Sequence, residues 1–375
     1  MEKVVPRFGI GGNGVIFFFV TLAIALVTWW LFGDPKWGIV DAYPFPFLFV
    51  AVWLILSVVW FGFTFELSLF TWVPDRQPLK GIVVTAFAAL LIYVVYLIVN
   101  VGWGAVNPNL SPASPTGYVL SAFIVLIGFF TWVMVCLGFG HWPFSDAGLK
   151  QPLLGVAEWL LGFALMVVFY LGLVYPPLVH PKHALLDFFT MTGWWYSCIV
   201  GMVIVCVLWG NWPITKISEN RAIRGIGTAL FAFIVGTIWY FIAVGLLKAG
   251  LVPQDIQAQM AKVSPTLINY YAAELGVCFN AAALFLFVFF ANWPTKYSNL
   301  VNIITRTIIS IAAGIIIFLI FMNGFGVAVL HETKPTLVVG NWGGDPLNFI
   351  DWWIGIYLVV GIYFGCWPLM KKVEE

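Results

Sequence analysis

Five long apolar runs in this chain stop at the same punctuation. Trp72-Val73-Pro74, His141-Trp142-Pro143, Asn211-Trp212-Pro213, Asn292-Trp293-Pro294 and Trp367-Pro368 each close a hydrophobic stretch, and the tryptophans lie 70, 70, 81 and 74 residues apart. Proline cannot continue a helix. Indole prefers the headgroup level, where its ring is half apolar and its N–H finds a partner. Each element therefore reads as an anchor and a helix stop at one face of a bilayer.

Composition admits little else. Of 375 residues, 62% are hydrophobic and 9% charged, with a mean hydropathy of +1.00. A soluble domain of this size could not hide so much apolar surface. Runs of about 20 apolar residues recur, long enough for a hydrocarbon core of about 30 Å. Ten spans are expected, at 14–33, 44–66, 81–103, 117–140, 152–176, 191–211, 225–248, 267–292, 301–330 and 349–366. The N-terminal stretch carries only Lys3 and Arg7 before a full-length span, with no small-residue cleavage site, and is expected to remain. Twelve Lys and Arg flank one side of the spans and five the other, which places both termini in the cytoplasm of a cell or inner membrane. The net charge of +1 gives no argument for nucleic acid. Cys136, Cys198, Cys206, Cys278 and Cys366 all fall in apolar runs without C-x-x-C spacing and read as small buried side chains.

The repetition extends past Trp-Pro. Gln77-Pro78-Leu79-Lys80-Gly81 resembles Gln151-Pro152-Leu153-Leu154-Gly155, with looser copies from Asn220 and Asn299. The expected fold is one all-α transmembrane domain over 1–375, built of five parallel two-helix units at about 8–76, 77–147, 148–217, 218–297 and 298–372. Five like hairpins tend to close into a quasi-fivefold ring. Small residues in the first halves of the odd spans, such as Ala86, Ala88 and Ala89, favour close approach. Tryptophan at both ends of the even spans suits a lipid-facing outer layer. The odd spans are thus expected inside. This architecture is similar to that of the plant slow anion channel and bacterial tellurite-resistance family, which also places ten spans in five hairpins with the odd spans inside. The similarity is topological, over the whole chain. No residue motif of that family matches, so neither anion selectivity nor a gate residue is carried over.

Charge inside a span is the main functional signal in a membrane protein. Aligning the odd spans on Gln77, Gln151, Asn220 and Asn299 brings Val84, Glu158, Gly227 and Arg306 to one position. Glu158 and Arg306 would then flank Gly227, which leaves room for them to meet at the mouth of a central space. The bland alternative is that both reach to the nearby interface. Glu274 lies about two turns into the eighth span, with Asn280 six residues deeper and Asp351 near the entry of the tenth. Glu274 is the best single candidate for a buried titratable group. The same alignment brings Tyr96, Tyr170, Trp239 and Phe318 together as an aromatic collar of a pore or, equally, as an interfacial belt. His180 and His183, near Asp187, and His331 fall in loops on the side away from Trp-Pro; exposed loop histidines are the default over a surface metal site. No catalytic set, metal site or cofactor motif emerges, and an enzyme is the weaker expectation.

The leading functional expectation is a channel or transporter for a small solute through a central path lined by the odd helices. The alternative is an integral membrane subunit or anchor of a larger complex, redox- or quinone-linked. Besides the bilayer lipid, the implied partners are that solute and either copies of the chain or other subunits.

Overall fold

The computed structural model describes residues 4–114, 116–333 and 337–372. Ten of its helices are long and apolar enough to cross a membrane: α1 (Gly9–Gly33), α2 (Phe45–Thr64), α3 (Leu79–Val106), α4 (Gly117–Gly138), α5 (Leu153–Val179), α6 (Phe188–Leu208), α7 (Arg221–Leu251), α8 (Leu267–Phe290), α9 (Asn299–Val329) and α10 (Pro346–Tyr363). The chain is a multi-pass α-helical membrane protein. Starts are set by local chemistry. Asp187, Asn220 and Ser298 turn side-chain oxygens onto the first free N–H groups of α6, α7 and α9. Pro78 and Pro152 stand immediately before α3 and α5. All but α8 loosen into a π turn at the C-terminal end. Two short strands, Val4–Pro6 and Met370–Lys372, pair antiparallel and tie the two ends of the chain together.

Burial reverses the expected layering. Within the even helices α2, α4, α6, α8 and α10, 72, 78, 89, 78 and 72% of the apolar core is buried; in α1, α3, α5, α7 and α9 it is 22, 22, 33, 39 and 28%. The even helices are the inner ones. They pack α2 on α4, α4 on α6, α6 on α8, α8 on α10, and α10 back on α2. Each odd helix lies over this inner set. For example, α3 rests on α2 and the end of α10, and α5 on α4 and the end of α2. The similarity to a family with odd spans inside therefore stops at the helix count.

The same residues that suggested the opposite arrangement explain this one. Gly81, Gly155 and Gly225 are notches on outer helices: a Cβ on each would strike the ring of Phe364, Phe65 or Phe139, the aromatic that ends an inner helix. Small residues mark where helices approach closely, not which of them is central. The even-span tryptophans face protein rather than lipid. Trp132 donates to the Trp159 carbonyl at 3.0 Å, Trp195 to the Leu126 carbonyl at 3.0 Å and Trp353 to Thr21 Oγ1 at 3.1 Å. Trp72, Trp293 and Trp367 are exposed at the Trp-Pro face and fit the anchor reading.

After every even helix the chain passes through two consecutive left-handed residues: Glu66-Leu67, Gly140-His141, Gly210-Asn211, Ala291-Asn292 and Gly365-Cys366. The second of each pair reaches sideways where its side chain allows. Asn211 Nδ2 donates to the Leu137 carbonyl at the end of α4, and Asn292 Nδ2 to the Val207 carbonyl of α6. These bonds stitch adjacent inner helices at the Trp-Pro face.

Candidate functional site

The left-handed pairs give a common ruler for the inner helices. Counting back fourteen residues from the first of each pair reaches Val52, Leu126, Tyr196, Val277 and Asp351. Three residues further along come Ile55, Phe129, Ile199, Asn280 and Ile354. These levels coincide with two contiguous cavities. The wide one, about 440 Å³, opens toward the face opposite Trp-Pro and takes lining residues from all five even helices. Its walls include Phe45, Val119, Phe123, Phe188, Phe189 and Tyr270. Val52, Leu126, Tyr196 and Asp351 line both it and a narrow cavity of about 40 Å³ beneath, where the second level lies. The walls are mostly apolar, and the carboxyl and amide groups lie on one side.

That side is formed by α8, α10 and the segment before α10. Glu274, Glu332, Asp345 and Asp351 are all buried there. The Glu332 Oε2 accepts from the Asp345 N–H at 2.7 Å, and Glu274 Oε2 from the Leu347 N–H at 3.2 Å. Glu274 and Asp345 bring their carboxyls within hydrogen-bonding reach of each other. Asn348 Nδ2 donates to Asp345 Oδ2 at 3.1 Å, and the Tyr196 hydroxyl donates across the cavity to Asp351 Oδ1 at 3.2 Å. Glu332 Oε1 and Asn280 Oδ1 have no partner, and Glu274 Oε1 and Asp345 Oδ1 have none beyond each other's carboxyl. Outside the spans, burial pushes Asp345 up to about 6, and burial together with the Asp345 charge pushes Glu332 well up.

The backbone that brings Glu332 and Asp345 together is a small hairpin of Val338–Val339 against Trp342–Gly343. Gly344, at φ +122°, brings the chain against Glu332; a Cβ there would stand 2.8 Å from Glu332 Oε2. Trp342 covers the hairpin by stacking on Tyr271, with ring centroids 6.0 Å apart.

Among the residues singled out from sequence, Asn280 lines the narrow cavity and Glu274 stands behind Asp345 at the wide one. The others lie elsewhere. Glu158 is fully buried and meets His141 Nδ1 at 2.7 Å, with Glu66 on the other ring nitrogen at 3.5 Å. Hydrogen bonding to Glu158 raises His141, against the opposing effect of burial, and the charges of Glu158 and Glu66 add to the rise. Arg306 donates to the carbonyls of Pro294 and Leu208. The expected Glu158–Arg306 approach is therefore replaced by two separate local contacts. The matched notches Gly81, Gly155 and Gly225 also shift α7 by one residue, so that Thr228, fully buried, stands level with Glu158 rather than Gly227.

None of the aromatic column lines either cavity. Tyr170 donates to the Leu120 carbonyl, Tyr96 stacks on Tyr118, Trp239 packs on Phe279 and Phe318 is fully buried. These rings wedge outer helices onto inner ones. Of the loop histidines, His331 pairs with Asp34 at 2.8 Å. Asp187 caps α6 and accepts from Thr266 Oγ1 at 2.8 Å. Among the described residues no group of three or more His, Cys, Asp or Glu is placed to hold a metal ion.

Glu332 and Asp345 were not singled out from the sequence. Their signal was the glycine-rich stretch between them, whose Gly340, Gly343 and Gly344 allow the hairpin to fold back and bury both carboxyls. Comparison with protein-family models, curated proteins and solved structures finds no match.

Proposed function

We propose that the chain is a transporter for a small solute, moving it along a central path lined by the even helices. The observation that carries this reading is the pair of contiguous cavities walled by α2, α4, α6, α8 and α10. A concave, mostly apolar space of about 440 Å³ with a few convergent polar groups has the size and character of a small-molecule site. On this reading the five inner helices close as a quasi-fivefold ring, and the solute enters from the face opposite Trp-Pro, taken as the outside.

The path is shut toward the other face. One turn below the second level, the same count reaches Val59, Val133, Val203, Leu284 and Leu358, all buried, with Leu284 forming the floor of the narrow cavity. A level of branched aliphatic side chains excludes water and ions. Passage then requires the inner helices to move, which suits a transporter more than an open pore. The stitching by Asn211, Asn292 and His141 at the Trp-Pro face belongs to this closed state.

Flux into liposomes tests the proposal. The reconstituted chain should speed entry of at least one of urea, glycerol and choline, with or without a pH gradient. Ala122→Trp fills the wide cavity and should abolish the flux. Leu230→Trp, on the exposed face of α7, should preserve it. No acceleration for any of the three overturns the reading, and undiminished flux in Ala122→Trp places the path elsewhere.

A further inference from the structure

The polar wall of the cavity has one sign. Asp345 and Asp351 line it, Glu274 and Glu332 stand behind Asp345, and among the described residues none of the four has a Lys, Arg or His within ion-pair distance. The unpartnered atoms of this wall's carboxyl and amide groups, including Asn280 Oδ1 on a side chain only 3% exposed, are acceptors. The Tyr196 hydroxyl already donates to Asp351, and the Thr116 and Thr192 hydroxyls to backbone carbonyls. An anion would meet chiefly lone pairs and carboxyl groups of its own sign. An uncharged apolar solute would leave every one of them unsatisfied.

Much of the remaining wall is aliphatic, but one stretch of it is aromatic. Phe123, Phe188, Phe189 and Tyr270 line the same cavity, with centroids of Phe123 and Phe188 5.6 Å apart, Phe188 and Tyr270 6.5 Å, and Phe189 and Tyr270 6.2 Å. Aromatic faces attract a weakly hydrated cation within about 6 Å of the ring. A hard metal ion instead needs several converging oxygen ligands, and the acidic groups here are not so disposed.

We propose that the central cavity binds a small organic cation, an alkylated ammonium group held between the Phe123–Phe188–Tyr270 rings and the carboxylates of Asp351 and Asp345. The proposal rests on reading the cavity as the solute's site and names the class of solute. The rings take the alkyl shell and the carboxylates supply the counter-charge. The volume leaves ample room for a group of this size.

Calorimetric binding to the detergent-purified full-length chain tests it, with choline and its uncharged carbon isostere 3,3-dimethyl-1-butanol as probes. Choline should bind at least about tenfold tighter than the alcohol, a difference that reports the charge alone. Asp351→Asn should weaken choline about tenfold or more without affecting the alcohol, and Phe188→Leu should weaken choline about threefold to tenfold and the alcohol less. Should Asp351→Asn not yield monodisperse protein, Asp345→Asn and the isostere comparison decide. Equal affinity for the two probes, or no choline binding at millimolar concentration by a wild-type chain that is monodisperse, overturns the proposal. Choline bound without any flux upholds the cation site and refutes the transporter. Flux of urea or glycerol without choline binding refutes the cation site alone.

Discussion

His141→Ala should destabilise the protein far more than Glu158→Gln, although Glu158 is the buried member of the pair. Glu158 is fully buried and His141 Nδ1, at 2.7 Å, is its one side-chain partner; its second oxygen has none. Removing the imidazole leaves a buried carboxyl without compensation. Breaking a buried pair costs about 3–5 kcal/mol, and the 27% exposure of the His141 side chain puts this case near 3 kcal/mol. Glu158→Gln removes the charge but keeps an acceptor facing the imidazole, which retains Glu66 on its other side, so the loss should be about 1 kcal/mol. The double variant should lose about 2 kcal/mol rather than the additive 4, a coupling of about 2 kcal/mol. Thermal or denaturant unfolding of the purified protein in one detergent measures the cycle. The pair also has a pH signature. His141 is raised above its ordinary value, so its contribution is fully present below about pH 6.5 and fades as pH rises through the raised value. The stability gap between wild type and His141→Ala should accordingly narrow from pH 6 to pH 9. A cycle additive to within about 0.5 kcal/mol, or a gap that widens with pH, would refute the reasoning.

Two further outcomes follow from other parts of the fold. Asp345 rises from 3.8 to about 6, so its favourable contribution is complete below pH 4 and lost as pH climbs through 6. That shift corresponds to about 3 kcal/mol for this buried group, and Asp345→Asn should flatten the melting temperature between pH 4 and pH 7, whereas an unchanged pH profile would show that other groups govern it. Gly236 brings α7 against α6, where a Cβ would stand 2.5 Å from Cys198 Cα and 2.6 Å from the Ser197 carbonyl oxygen. Gly236→Val should therefore cost about 3 kcal/mol through forced helix separation and shift the protein into aggregates on size exclusion, while a normal melting temperature would mean that the crossing is looser than its geometry.

Ten helices could be read from the sequence because length and hydropathy suffice to mark a membrane span. Their layering could not. Inner and outer helices here are both apolar all round, so neither has a polar face to mark solvent. The cue used instead, small residues, was real but local: Gly81, Gly155 and Gly225 receive Phe364, Phe65 and Phe139 and identify a contact, whichever partner is central. The charges show the same limit. Glu158 was visible as a costly residue in a span, but its partner is His141, which stands in the Trp-Pro punctuation after α4 as Asn211 and Asn292 do after α6 and α8. The Trp-Pro motif gave no sign that the left-handed backbone at His141 turns the imidazole onto Glu158. Glu274 and Asn280 were legible because they interrupt an apolar run. Glu332 and Asp345 needed the glycine hairpin to come together.

The levels of the inner helices separate scaffold from specialisation. At the first, Val52, Leu126 and Val277 are apolar, while Tyr196 and Asp351 are not; at the second, Ile55, Phe129, Ile199 and Ile354 are apolar, and Asn280 is not. Packing five like helices around an axis asks only for branched and aromatic side chains of matching volume. It gives no reason for a carboxylate, an amide and a phenol, each expensive to bury in such surroundings. The three exceptions face the same pair of cavities, and the further acids Glu274, Glu332 and Asp345 gather on the side of Asp351 instead of being spread around the axis. A water-filled pore would distribute its polar groups to hydrate whatever passes. Carboxyl and amide groups gathered on one wall would instead give a bound molecule a preferred orientation. On the transporter reading, recognition is therefore the work of α8 and α10, and the remaining inner helices supply the shape against which the solute is held.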